Sequence, residues 1–479
     1  MMDDARVRED EAEGGSFRDP SGYVFRREGR VFRAVDAACH ALLRGLERDG
    51  TLPRLIESGA LVGTRFVEEP ALLAGLRAAH PAHEHFLEHD AIPFLTFPYE
   101  WSVSMLADAG LHTLDLEERL LDAGCALKDA TAFNLQFVRG RPVFIDLGSF
   151  ERPRRMDLWF ALGQFDRMFL YPLLLAVEQG WDLRACFLGS LQGRPVEDVA
   201  RGYGPLRRLR PRALFEVTLP LLLNRWARGR ERVDRSLLER ANPDTRPQRA
   251  TLEGRRRRLR ALAAHRRQDG EWADYARTCS YDPRADETKQ RLVGAFLAAH
   301  RPARVLDLGC NTGTYTWIAC EHGAEVIAAD QDHDAVDALY RRLRERPAPV
   351  TPLVLDITDP SPAVGHLNRE RASFLERLDV DCVLALALVH HLLISGNLSL
   401  PAIRDLFHRL TKDLLVVEFV PPEDPMFRRM LQFRVDLFAG LDLGGLERVF
   451  AERFTLLDRQ PVPGTARTLL FYRRRERAA

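Results

Sequence analysis

The chain is expected to fold as α/β, with a Rossmann-like sheet flanked by helices in its C-terminal half, behind an α+β domain and a helical connector. Three observations predict this. Short apolar runs alternate with helix-compatible segments from about residue 300 onward, the rhythm of a parallel sheet. One of those runs, Arg304-Val-Leu-Asp-Leu308, ends in the glycine-containing turn Gly309-Cys-Asn-Thr-Gly313. The next two, Glu325–Asp330 and Pro352–Asp356, each end in an acid.

The first run reads as a strand, a tight turn and the N-terminus of a helix, where unpaired backbone N–H groups meet a ligand. Asp307 stands at the strand's C-terminal end, the side on which open α/β sheets bind nucleotides. Asp330 lies 21 residues after Gly309, a spacing at which a carboxylate can accept both ribose hydroxyls of an adenosine. Asp356 stands where it can meet an adenine amino group. A fourth strand over 381–388 is expected to run into His390 and His391. Helices are expected at 287–300, 313–322, 333–346, 370–378 and 401–411. A strand at 414–420 and a terminal pair around 454–457 and 468–472 complete the set.

These residues resemble the class I S-adenosylmethionine-dependent methyltransferases. Asp307, Gly309 and Gly313 match the glycine-rich loop of that family, and Asp330 and Asp356 its next two acidic positions. Asn311 replaces the middle glycine, and asparagine tolerates the left-handed region better than most residues. A dinucleotide-binding domain would want glycine there. The resemblance implies S-adenosyl-L-methionine as cofactor, contacted also by Cys310, Ile357 and Leu386. It further implies Lys289 at the methionine carboxylate and Tyr281 in an active-site lid. His390 and His391 are candidates for the general base, because imidazole titrates near neutrality. Glu418, an acid inside an apolar run, is expected to orient the substrate or pair with arginine. No Asn-Pro-Pro-aromatic motif follows the fourth strand, and no cysteine suits covalent attack on a pyrimidine. The acceptor is therefore an oxygen or nitrogen of a small molecule, a sugar or a protein side chain.

Taken in order, residues 1–20 carry seven acids and read as a tail. Residues 21–200 form the next domain, with strands from Gly22 to Val35 turning at Glu28-Gly29 and helices near 36–48 and 67–79. His80-Pro-Ala-His-Glu-His-Phe-Leu-Glu-His89 places His85 and His89 one helical turn apart. It lacks the order of a zinc helix, so a solvated helix face is expected and no metal site. Leu127–Gly148 contains two apolar strands around Arg139-Gly140-Arg141, a β-hairpin. With Asp129, Asn134 and Asp146 it resembles the catalytic loop of aminoglycoside-phosphotransferase-type kinases, which implies Asp129 as base and Asn134 and Asp146 as magnesium ligands. Yet no glycine-rich phosphate loop precedes it, and no lysine lies upstream of Lys128. Arg33 is the only substitute for the phosphate-binding lysine, and it is a poor isostere. A kinase-like fold without phosphoryl transfer is the expectation, and a Mg-ATP-dependent second activity the alternative. A kinase-like module ahead of a methyltransferase resembles a bacterial nodulation-type methyltransferase family.

Residues 201–270 hold 20 arginines against 7 acids. They read as an arginine-rich helical connector docking on acidic neighbours, ahead of an RNA-gripping surface, since no aromatic residues interleave as RNA stacking requires. The methyltransferase domain is expected over 271–479. Formal net charge is zero, and only Lys128, Lys289 and Lys412 of the 69 basic residues are lysines. That bias reflects a GC-rich genome and makes each arginine less informative. Seven scattered cysteines suggest neither zinc nor disulfides. No apolar run reaches the roughly 18 residues of a membrane span. With no export signal after Met-Met-Asp-Asp, a cytoplasmic protein without membrane contact is expected.

Overall fold

The computed structural model describes residues 14–16, 22–204, 206–228, 240–264, 283–431 and 440–475. The chain divides into two compact units. Unit 1 comprises Met1–Phe137, Pro142–Arg266 and Ala363–Ala372; unit 2 comprises Val138–Arg141, Arg267–Pro362 and Ser373–Ala479.

Unit 1 begins with a four-stranded antiparallel sheet of β1 (Gly22–Arg27), β2 (Arg30–Val35), β3 (Thr64–Phe66) and β4 (His85–His89), in the order β1-β2-β4-β3. Glu28 and Gly29 both adopt positive φ, 52° and 73°, which gives the tight hairpin expected between β1 and β2. Phe25, Phe32 and Phe86 project from the sheet into a core closed by Leu76. Helix α1 (Ala37–Arg48) is capped by Asp36, whose side chain accepts the Cys39 N–H. Helix α2 (Val103–Asp122) starts at the Ser102 cap and buries Met105, Leu106, Ala109, Thr113, Leu116 and Leu120, a stripe of helical period.

The segment His85–His89 is a strand and not the helix expected from its histidines. It pairs with β2 in the register Val35↔His85 to Val31↔His89, and Phe86 to His89 are buried where a solvated face was expected. The hairpin after Asn134 forms as expected from β6 (Leu135–Val138) and β7 (Arg141–Phe144), turned by Arg139 and Gly140 at φ 52° and 74°. Two two-residue strands, β5 (Ala126–Leu127) and β8 (Phe150–Glu151), pair nearby. Further on, helix α3 spans Leu219–Arg228 and helix α4 spans Arg246–Ala263.

Helix α4 lies against α2, and its arginines are bound by acids of the same unit. Arg249 reaches Asp122, Arg255 grips Asp166 at 2.7 Å through both nitrogens, and Arg256 reaches Asp115 and Glu118. Arg258 pairs with Glu178 and Glu216. These charges serve packing, as the docking reading of the arginine-rich segment expects, and they are not held out as a phosphate-gripping row. At the centre of the contact Glu117, fully buried, accepts the Leu127 N–H at 2.7 Å and the Gln248 side-chain amide at 2.6 Å.

Unit 2 is a seven-stranded sheet. Its strands are β9 (Arg304–Leu308), β10 (Glu325–Asp330), β11 (Val350–Val354), β12 (Cys382–Ala385), β13 (Leu414–Phe419), β14 (Phe454–Pro461) and β15 (Thr468–Arg474). Their order is β11-β10-β9-β12-β13-β15-β14; the first five are parallel and β15 inserts antiparallel to both neighbours. This is the arrangement expected, five parallel strands closed by an antiparallel pair. Apolar side chains fill both faces, with Val305, Val326, Leu384 and Val416 on one and Leu306, Ile327, Val383 and Leu415 on the other, as a sheet covered by helices requires. The helices that matter here are α5 (Pro283–His300), α6 (Thr314–Glu321), α7 (His333–Glu345), α8 (Val389–Ile394) and α9 (Leu400–Leu410).

Several boundaries differ from expectation. The third strand ends at Val354, so Asp356 stands two residues beyond it. The fourth ends at Ala385: Ala387 takes φ 49°, the chain turns, and both histidines fall on the first turn of α8. Expected helix 370–378 is reduced to Phe374–Arg377.

Candidate nucleotide crevice and its buried polar network

Strand order reverses between β9 and β12, so the segments leaving their C-terminal ends diverge and open a crevice. One lip is the corner after β9. Gly309, Asn311 and Gly313 have φ of 76°, 49° and 91°. The φ of Gly313 is one that L side chains rarely adopt, and a Cβ there would also press on Leu339 Cδ1 at 2.6 Å. At Gly309 the nearest atom to such a Cβ is Leu388 Cδ1 at 3.6 Å, which places the corner beside the segment leaving β12. Asn311 holds the left-handed turn in place of glycine, as expected, and its N–H donates to Asp330 Oδ2 at 2.8 Å.

Asp330 is 8% exposed at the tip of β10. Its other oxygen accepts the Asp332 N–H at 2.9 Å. Burial raises its carboxyl above the usual range, against the pull of those backbone donors. Each oxygen retains a lone pair, so the group can accept two further hydrogen bonds. Asp356 uses Oδ1 to accept the Thr358 N–H and hydroxyl at 2.8 and 2.7 Å. Asp307 stands on the central strand β9. It is 2% exposed and accepts the Thr316 hydroxyl at 2.6 Å, tying the start of α6 to the central strand; burial pushes its carboxyl up to about 6.

The other lip is α8. His390 is 2% exposed, and neither ring nitrogen has a hydrogen-bond partner among the described residues. Its ring lies 4.4 Å from that of His391 and stacks on Phe427 at 6.2 Å. Burial lowers both imidazoles, and the charges of Arg467 and, for His390, of His391 and Lys289 lower them further. Both rings are therefore neutral near pH 7.

Beneath lies a charge network that spacing could not reveal. Lys289 of α5 binds Glu418 of β13 at 2.5 Å, both almost wholly buried. Arg467 lies 3.5 Å from the other Glu418 oxygen and grips Asp424 through Nε and Nη2 at 2.7 and 3.1 Å. Two cations and two anions balance. Glu418 thus pairs with arginine, as one reading of its position holds, and with the lysine expected at the methionine carboxylate. Arg467 was not legible as a site residue, because in so arginine-rich a chain it carries no signal of its own. Tyr281 lies outside the described residues.

In unit 1 the fold brings Asn134 and Asp146 together: Asn134 Nδ2 donates to Asp146 Oδ2 at 3.1 Å and to Ser149 Oγ at 3.1 Å. Arg33, 5% exposed on β2, binds Asp146 Oδ1 at 2.6 Å. Burial works against the Asp146 carboxylate, but Arg33 and Ser149 outweigh it and lower its pKa. Beside them burial and Arg33 depress His89 to about 3. Among the described residues no group of three His, Cys, Asp or Glu could hold a metal ion.

Against known proteins, no protein-family model matches the chain. Over 470 residues it is 33% identical to nodulation protein NoeA of Rhizobium meliloti (strain 1021), a match covering 96% of each chain. The chain belongs to the NoeA family of nodulation proteins. Similar solved structures include the N-methyltransferase NodS of Bradyrhizobium japonicum WM9 in complex with S-adenosyl-L-homocysteine, at 17% identity and a TM-score of 0.32 over 43% of this chain and all of that one. Another is the magnesium protoporphyrin IX methyltransferase of Synechocystis PCC 6803, at 16% identity and a TM-score of 0.30, covering 40% of this chain and 84% of that chain. Membership of the family rests on the match along nearly the whole chain, and the crevice is a property of this chain's own C-terminal unit.

Proposed function

We propose that unit 2 is an S-adenosylmethionine-dependent methyltransferase acting on an oxygen or nitrogen of a small molecule, a sugar or a protein. The observation that carries the reading is the meeting, at the point where strand order reverses, of a left-handed Gly309–Gly313 corner with the buried Asp330 carboxylate. That combination fits an adenosyl group. Asp330 has lone pairs for two ribose hydroxyls, Gly309 at its left-handed φ lets a ligand approach the backbone of the corner, and Asp356 Oδ2 can accept from an adenine amino group. Cys310, Ile357 and Leu386, 5–8% exposed, supply apolar walls.

When bound, the cofactor supplies an electrophilic methyl group on a sulfonium. The chain's part is to position the acceptor in line and to take its proton. His390 suits the proton transfer, since a neutral, buried imidazole with an unpaired nitrogen gains a hydrogen bond when an acceptor O–H or N–H arrives. His391 is the alternative base, and Tyr281 the proposed lid residue. Lys289, an ammonium with three donors, is the proposed contact of the methionine carboxylate. Calorimetric titration with S-adenosylhomocysteine tests the reading; no binding refutes it.

For unit 1 we propose a kinase-like fold that does not transfer phosphoryl groups. Asp146, the expected magnesium ligand, is neutralised by Arg33 and held by Asn134 and Ser149, an arrangement in which the protein's own cation stands at the carboxylate. The role of Asp129 as base lapses with that chemistry. Thermal stabilisation by Mg-ATP would reopen the bifunctional alternative.

A further inference from the structure

Residues 203–228 contain six arginines, Arg207, Arg208, Arg210, Arg212, Arg225 and Arg228, and a single acid, Glu216. That acid is turned inward onto Arg258 at 2.8 Å. Arg207, Arg210 and Arg212 are exposed and make no ion pair among the described residues. The same stretch holds large apolar side chains in water. Leu206, Leu209 and Phe215 are 84%, 68% and 68% exposed, and Leu222 and Leu223 on α3 are more than half exposed. Phe215, Leu219, Leu222, Leu223 and Trp226 recur at the spacing of one helical face, while Ala213, Val217 and Leu221 point into unit 1. A soluble surface seldom exposes so much contiguous leucine and aromatic surface, and here it is flanked by exposed arginine.

We propose that this face lies on an anionic lipid bilayer, with Phe215 and Leu222 entering the acyl boundary and Arg207, Arg210 and Arg212 meeting the headgroups. Charge complementarity selects the occupant: a surface with three exposed guanidinium groups and, among the described residues of 203–228, no exposed acid repels a basic partner and favours a dense negative plane. The apolar face is too short to cross a bilayer, and no described helix is long and apolar enough to do so, but an interfacial helix needs only one apolar side. The expectation of no membrane contact rested on the lack of a spanning run and of an export signal, and neither bears on an interfacial face such as this. The site is independent of the methyltransferase reading.

The test is co-sedimentation of the full chain with phosphatidylcholine vesicles and with vesicles that also contain phosphatidylglycerol. Binding to the anionic vesicles only, weakened by salt, is the expected result. Phe215→Ser and Leu222→Ser should each weaken it about tenfold, because each removes an apolar anchor. Arg210→Gln with Arg212→Gln should reduce its salt dependence. These side chains are exposed, so unchanged thermal unfolding confirms that the variants fold. No binding, equal binding to both vesicle types, or affinity unchanged in Phe215→Ser and Leu222→Ser overturns the proposal. So does a self-association that Phe215→Ser abolishes, or salt-sensitive capture of an acidic protein by this face in place of lipid.

Discussion

Replacing Asp330 separates its two duties, holding the corner and holding a ligand. In the free protein its oxygens accept the N–H groups of Asn311 and Asp332 at 2.8 and 2.9 Å. Asp330→Ala leaves both donors short of a partner in a nearly buried place, a cost of about 1–3 kcal/mol each. Asp330→Asn keeps one acceptor oxygen and should lose only about half of that. The loss of ligand contacts adds to it. Two hydrogen bonds from ribose hydroxyls to a charged acceptor are worth about 1.5–3 kcal/mol each, so Asp330→Ala should weaken S-adenosylhomocysteine binding by about 10²–10⁴-fold. Asp330→Asn should fall between, having lost the charge and one acceptor. Calorimetric titration measures affinity, and thermal unfolding of the free variants measures the corner. A variant that melts lower yet binds S-adenosylhomocysteine as the parent does would refute the ribose contact while leaving the turn's architecture intact.

The buried groups carry three further predictions. Glu117 is pushed by burial from 4.5 up to about 8, so its contribution favours folding fully below pH 4.5 and is lost as pH rises through about 8. By pH 7 this linkage costs about 3 kcal/mol, which Glu117→Gln should remove; a stability difference between the two that does not grow from pH 5 to pH 8 in urea unfolding contradicts it. Lys289→Met takes from buried Glu418 its partner at 2.5 Å and should destabilise by about 3–5 kcal/mol, with partial recovery in the double variant Lys289→Met, Glu418→Leu. Were Lys289 chiefly a cofactor ligand, titration would show lost affinity with stability intact. Once an acceptor is known, His390→Ala should lower kcat by about 10²–10⁴-fold with little change in S-adenosylhomocysteine affinity, and an undiminished rate would pass the role to His391.

The sequence by itself determined the parallel sheet, the corner and the acid that meets it. Each depends on neighbours along the chain: apolar runs of strand length, glycine at φ that other residues resist, and Asn311 at a position asparagine tolerates. It also determined the β1–β2 and β6–β7 hairpins, whose turns are set by Glu28-Gly29 and Arg139-Gly140. The tertiary structure decided the rest. The apolar run through Leu386-Ala-Leu-Val389 carries no glycine or asparagine to mark its turn, so only the packed fold shows Ala387 in the left-handed region and the histidines on a helix. Pattern gave His85–His89 to a helix, and pairing with β2 made it a strand. Lys289, Glu418, Arg467 and Asp424 lie up to 178 residues apart, and Arg33 lies 113 from Asp146. Spacing carries no information about such pairs; a charge taken out of water must find its opposite wherever folding brings one, and only the fold says which.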